Sequence, residues 1–250
     1  MKVLATYNIK GGVGKTAAAV NLAYLAAAEG ARTLVWDLDS QGAASFYFRV
    51  KPKVKGGSEA IITGRRALDR AIKGTDYDNL DLIPADFSYR NMDIELGETK
   101  KRKRRIDLLV RPLAKHYDYV FLDCPPSISL VSENVFRAAD ALLIPLIPTT
   151  LSMRTFEQLD GFLSEHPGRK GQQVMAFFSM VDNRKNLHRE LVEQVGAARS
   201  DVLDAQIPAT SDIERMGVHR SPVTAAAPRS RSAVAYQALW SEIVARLAAP

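Results

Sequence analysis

Apolar residues follow two alternating rhythms along this chain. Short, nearly unbroken apolar runs occur at Lys2–Thr6, Thr33–Asp37, Leu80–Pro84, Tyr119–Asp123, Ala141–Pro145, Val174–Phe178 and Val202–Ile207. Each predicts a strand. Between them, apolar positions recur at helical spacing. Lys15–Glu29 is rich in Ala and Leu and stops at Gly30, a residue suited to a helix C-cap. Leu151–His166 stops at Pro167-Gly168, and Ser232–Ala248 carries Val234, Leu239, Ile243 and Leu247 at helical spacing. Strands apolar on both faces need cover on both sides, so the pattern predicts an α/β fold with a mostly parallel, twisted sheet and helices on both faces. No internal repeat and no Gly/Ser linker interrupts residues 1–250, so one domain is expected. Lys51–Gly57, a Pro/Gly/Lys stretch, predicts a mobile surface loop.

Composition narrows the classes. With 46% hydrophobic and 25% charged residues the chain reads as an ordinary globular protein long enough to build its own core. Cys124 is the one cysteine, so no intrachain disulfide or cysteine metal cluster can form, which suits a reducing cytoplasm. The first apolar run is too short for a signal peptide and leads into a glycine turn. No run of ~18 apolar residues predicts a membrane span. The net charge of +6 permits nucleic acid or anionic lipid as a partner without selecting either.

Candidate chemistry starts at Lys10-Gly11-Gly12-Val13-Gly14-Lys15-Thr16, between the first strand and the first helix. Glycines there let backbone N–H groups converge on phosphate oxygens. The helix start adds free N–H groups and the positive dipole end. Lys15 can reach β- and γ-phosphates, and the Thr16 hydroxyl can ligate Mg²⁺. The expected fold is therefore a P-loop NTPase fold, with Gly11, Gly12, Val13, Gly14, Lys15, Thr16 and Ala17 around the nucleotide. Two carboxylate segments support it. Asp37-Leu38-Asp39-Ser40-Gln41-Gly42 follows the second strand, and Asp123 ends a strand followed by Pro125-Pro126-Ser127. Carboxylates at the carboxyl ends of parallel strands face the ligand crevice. Helix N-capping is the other role open to Asp37 and Asp39. Cys124, with no histidine placed beside it, reads as buried structure.

The loop departs from the general phosphate-loop pattern: Ile9 holds the first glycine position, and Lys10 follows it. In this it resembles the deviant Walker A group of the ParA/MinD family, and most closely the ParA/Soj-like partition ATPases. Several segments extend the resemblance: the two carboxylate segments, Ala138–Pro145, Met180–Arg184, Ile207-Pro208 and Ala227–Ser230. It covers nearly the whole chain, and is weakest at Lys51–Lys73 and Lys100–Arg105. The resemblance implies an Mg-dependent, slow ATPase that forms a homodimer on binding ATP and Mg²⁺. Lys10 would contact the partner's nucleotide in trans, beside Lys15. Asp39 would orient the attacking water and Asp123 would hold Mg²⁺ through water. The base would lie between Ser179–Asp182 and Pro208. Ser40 stands where the family carries proline.

ParA-like members bind nonspecific DNA, and MinD-like members bind membrane through a C-terminal amphipathic helix. The tail Tyr236–Pro250 lacks a basic, aromatic-flanked character, so no membrane is expected. Late basic residues include Arg184, Lys185, Arg215 and Arg220, and the resemblance places DNA contacts in this part of the fold. Arg184 matches a family DNA-binding position, whereas Asp212 replaces a family arginine. The implied setting is cytoplasmic and nucleoid-associated, with a ParB-like or other small activator as partner. Lys100–Arg105, six consecutive cations, is either a further DNA contact or a solvated face. The competing classes are a MinD-like membrane-associated ATPase and a metabolic P-loop enzyme, such as an amidating synthetase.

Overall fold

Seven strands form one sheet in the order β3-β4-β2-β5-β1-β6-β7. They are β1 (Lys2–Thr6), β2 (Thr33–Asp37), β3 (Lys73–Gly74), β4 (Leu80–Ile83), β5 (Tyr119–Asp123), β6 (Ala141–Leu146) and β7 (Gln173–Phe178). All neighbours run parallel except β3, a two-residue edge strand antiparallel to β4. The structure is a computed structural model and describes residues 1–249. Pro250, the last residue of the tail considered above, lies outside the described residues.

The helices are α1 (Lys15–Ala28), α2 (Ala43–Tyr47), α3 (Gly57–Ile62), α4 (Met92–Gly97), α5 (Arg105–Val110), α6 (Leu130–Ala138), α7 (Thr150–Glu165) and α8 (Asn186–Ala198). Three single turns follow, α9 (Ser211–Glu214), α10 (Met216–His219) and α11 (Val223–Ala226), then α12 (Arg231–Ala248). The period of two along each strand divides the core into two layers. Val3, Ala5, Trp36, Val120, Leu122 and Phe178 face α3–α8. Leu4, Val35, Phe121, Leu143, Met175 and Phe177 face α1, α2 and α9–α12. Continuous apolar runs were required because both faces are covered.

α1 lies deep in the second layer, and its many alanines let it approach the sheet closely. It ends where the sequence predicts, with Gly30 in the left-handed region at φ +92°. α12 covers it, burying Tyr236, Leu239, Trp240 and Ile243. The Trp240 ring packs edge-on to Tyr119, and its Nε1 donates to Glu29 Oε2 at 2.9 Å. The apolar face of the C-terminal helix is thus spent on the core.

Two expectations need correction. Val202–Ile207 is not a strand. Val202 makes an isolated bridge with Ala176, and Pro208, just past the segment, makes another with Val181. Glu242 of α12 accepts hydrogen bonds from the N–H groups of Asp204 and Ala205, so the chain arcs away from β7 between the two bridges. Lys51–Gly57 is a loop, but it is tethered. Val54 is buried, and its N–H donates to Asp86 Oδ2 at 2.8 Å.

Trp240→Ala should cost ~3–5 kcal/mol, as expected for truncating a large buried aromatic. Urea unfolding followed by circular dichroism would read it. A cost under ~1 kcal/mol would mean that α12 is not docked in solution.

Candidate nucleotide-binding site

The parallel register brings the ends of β2, β5 and β1 side by side, with Asp37 opposite Asp123 and Thr6 opposite Asp123. The loop leaving β1 curls over this edge into α1. Gly12 and Gly14 have φ of +71° and +97°, which side chains adopt only with strain. A Cβ on Gly14 would also lie 2.8 Å from Ser179 Oγ, so the end of β7 closes against the loop. Above Gly12 nothing lies within 4 Å, which leaves its backbone open to a ligand. Gly14 caps α1 without a side-chain acceptor, so the first-turn N–H groups stay available to an anion. Val13 is buried beneath the loop and Ala17 is half-buried.

The two lysines are treated differently. Lys15 is 7% exposed, and its Nζ donates to the Lys10 carbonyl at 3.1 Å. Burial lowers its pKa, while Asp123, Cys124 and Asp39 act in the opposite direction. Lys10 is half-exposed. Its backbone N–H is held by Asn8 Oδ1 at 2.9 Å, and its ammonium has no ion pair among the described residues.

Asp37 and Asp123 are fully buried, and each retains one oxygen without a hydrogen-bond partner: Oδ1 of Asp37 and Oδ2 of Asp123. The other oxygen of Asp37 accepts from the N–H and the hydroxyl of Ser45, both at 2.7 Å. Asp123 Oδ1 accepts from Thr6 Oγ1 at 3.3 Å, and Thr16 at the start of α1 lies beside this carboxylate. Burial raises the pKa of both acids, and Asp37 raises that of Asp123 further. Two adjacent buried carboxyls with free oxygens beside a threonine hydroxyl form a donor set suited to a hard divalent cation. Among the described residues no cluster of three His, Cys, Asp or Glu side chains stands ready for a metal. Mg²⁺ binds through few protein oxygens and keeps several waters, so Thr16 and Asp123 fit it.

Asp39 begins the turn beyond β2. Its Oδ1 accepts from the Gln41 N–H at 3.0 Å, and its carbonyl accepts from the Gly42 N–H at 2.9 Å. The turn therefore closes with Ser40 in place of proline. The capping role open to the two aspartates is met only by Asp37, which reaches the Ser45 N–H in the first turn of α2. Cys124 is buried beside Asp123, and burial pushes its thiol pKa up, so it stays unreactive.

The segments expected around the base come together. Val181 N–H donates to the Ile207 carbonyl and Ala209 N–H to the Val181 carbonyl, both at 3.0 Å. Pro208 is buried in this strap. The four late cations lie on different elements. Arg184, its side chain 90% exposed, forks onto Asp182 with both contacts at 2.9 Å, and Lys185 precedes α8. Arg215 is exposed between α9 and α10. Arg220 leans on α2, four strand positions away from β7. Its Nε donates to the Phe46 carbonyl at 3.1 Å and its guanidinium lies 4.7 Å from the Phe46 ring. The sequence did not point to Ser45 or Phe46, because their partners are distant in the chain or on another element.

A P-loop nucleotide-binding protein is the class that this loop, its buried lysine and the paired carboxylates define. A family model described as an AAA domain matches residues 1–172. The sporulation initiation inhibitor protein Soj of Bacillus subtilis is 32% identical over 249 residues, covering 98% of each chain. The chromosome partitioning protein ParA of Caulobacter vibrioides is 33% identical over 258 residues, covering 98% of this chain and 95% of its own. This chain belongs to the ParA/MinD family of P-loop ATPases. Among solved structures, cobyrinic acid a,c-diamide synthase from Mycobacterium smegmatis with bound ATP analogue and magnesium matches with a TM-score of 0.84 at 25% identity, covering 99% of this chain and 96% of its own. The ligands in that similar fold agree with the expected ATP and Mg²⁺.

Raised carboxyl pKa values favour the folded state at low pH and lose that contribution as pH rises through them. Without nucleotide and metal, the wild type should therefore lose thermal stability relative to Asp123→Asn as pH rises from the usual carboxylate range toward about 8. ADP with Mg²⁺ at the upper pH should restore it in the wild type only. A gap that does not change with pH in differential scanning calorimetry would show that the pair is not held protonated.

Proposed function

We propose that this protein is a ParA-like positioning ATPase: it forms an ATP-sandwich dimer, binds nonspecific nucleoid DNA in that state, and is released when a cargo-bound activator stimulates hydrolysis. The cargo class is a plasmid, a chromosome or a protein cluster, and the activator is a ParB-like or other small protein. The observation that carries this reading is the division of labour between the lysines. Lys15 is buried within its own loop, whereas Lys10 stands half-exposed at the mouth with no ion pair among the described residues. A cation so placed suits a second subunit's phosphates, where added positive charge stabilises phosphoryl transfer.

In this reading the loop N–H groups and Lys15 hold the β- and γ-phosphates. Thr16 and Asp123 would hold Mg²⁺, which would neutralise phosphate charge. Asp39, on the turn closed by Gly42, orients the attacking water. Ser45 fixes Asp37, and so links β2 to α2, whose Phe46 carries Arg220. Arg184, Lys185, Arg215 and Arg220 would meet DNA phosphates, which takes cations and no base code. Full-length identity above 30% to proteins named for chromosome partitioning supports this class over an amidating synthetase. The buried apolar face of α12 argues against the membrane-bound alternative.

Lys15→Ala should abolish binding of a fluorescent ATP analogue. Asp39→Ala should retain ATP-dependent dimers and DNA binding but release no phosphate; normal turnover by this variant would refute the role given to Asp39. The decisive measurement is a gel shift on random-sequence duplex DNA with ATP, with ADP and across a salt series. Affinity should require ATP and fall steeply with salt. Binding that ignores both would sink the DNA-based reading.

A further inference from the structure

The cationic run Lys100–Arg105 lies between α4 and α5, and the structure divides it in two. Lys103 Nζ pairs with Glu133 of α6 at 2.9 Å, and Arg104 pairs with Asp107 at 3.2 Å. Arg105 Nε donates to the Ile62 carbonyl at the end of α3. These three side chains staple the turn to the fold. Lys100, Lys101 and Arg102 are exposed and have no ion pair among the described residues.

The backbone of Lys101 and Arg102 is clamped. Asn134, fully buried on α6, donates through Nδ2 to the Arg102 carbonyl and accepts from the Arg105 N–H at 2.7 Å. The Arg104 N–H donates to the Lys101 carbonyl at 2.9 Å and closes the turn. Three like charges are thus held adjacent on an ordered backbone, an arrangement that costs repulsion in the absence of an anion. The turn sits in the α3–α8 layer, whereas Arg215 and Arg220 belong to the layer on the opposite face of the sheet.

We propose that Lys100, Lys101 and Arg102 form a second surface for the phosphate backbone of duplex DNA, so that one protomer can hold two DNA segments. The proposal rests on the DNA-based reading above and adds a separate contact to it. The chemistry selects the ligand. The run has no aromatic residue on which bases could stack and no bulky apolar residue to enter a bilayer. Cations alone read a backbone.

The test uses the full chain with Lys100→Ala, Lys101→Ala and Arg102→Ala combined. None of the three lies in the nucleotide site, so basal ATP hydrolysis and thermal stability should match the wild type. Fluorescence anisotropy with a random-sequence duplex and ATP would be followed across a KCl series. Each phosphate contact contributes about 0.9 to the slope of log affinity against log salt, so the variant should be shallower by about 2 to 3. Wild-type protein should also pull a labelled duplex onto a bead-bound duplex, and the variant should bind DNA yet lose this bridging. An unchanged slope with unchanged bridging overturns the proposal. So does a variant whose only loss is binding to phosphatidylglycerol vesicles, which would assign the turn to lipid. Arg215→Ala with Arg220→Ala separates the two claims. If that pair leaves DNA binding intact, the role given to Arg215 and Arg220 fails, while the slope change at Lys100–Arg102 still decides this one.

Discussion

Everything at this site depends on two carboxyl groups that the sheet register forces together in a dry place. Asp37 and Asp123 end neighbouring parallel strands and are completely buried. Water would normally separate and solvate such a pair. Here burial pushes both pKa values upward, repulsion from Asp37 adds to the rise at Asp123, and among the described residues one oxygen on each is left without a partner. A buried polar atom without a partner is costly. The arrangement is therefore unfavourable by itself and becomes favourable when a cation joins it, which makes a structural cost the basis of ligand affinity. The buried Lys15 ammonium and the Thr16 hydroxyl border the same point, brought there by the glycine turn.

That constraint radiates outward through short, satisfied hydrogen bonds. Ser45 takes Asp37 with both its N–H and its hydroxyl, and its oxygen in turn accepts the Ala85 N–H from beyond β4. The next residue, Phe46, carries Arg220 from the C-terminal half of the chain, and Arg49 reaches the His219 carbonyl. α2 is only five residues long, yet it holds Asp37 through Ser45 and Arg220 through Phe46. Asp37 and Arg220 are thus joined through the neighbouring residues Ser45 and Phe46.

On the other helical layer, α6 plays a comparable part. It starts just after the Pro125-Pro126-Ser127 segment and supplies Asn134 and Glu133 to hold the cationic turn. The Tyr7 hydroxyl donates to the Ser127 carbonyl at 2.8 Å, tying the start of the phosphate loop to the chain entering α6. The two basic surfaces are thus each one element removed from the nucleotide edge, on opposite sides of the sheet.

The sequence alone determined the layered α/β class, the phosphate loop, the two carboxylate segments and the start of a long docked C-terminal helix. These are local properties: a period of two or 3.6, glycines where φ must be positive, and a charge at the end of an apolar run. It misjudged Val202–Ile207, whose apolar pattern suits a strand but whose ladder is broken by Glu242, a residue distant in the chain. It pointed to neither Ser45 nor Asn134. Only the tertiary structure decided which oxygens lack partners, which lysine is buried, and which half of the Lys100–Arg105 run is free. Those properties depend on what the rest of the chain brings within about 3 Å, the range of a hydrogen bond, and no local pattern encodes that.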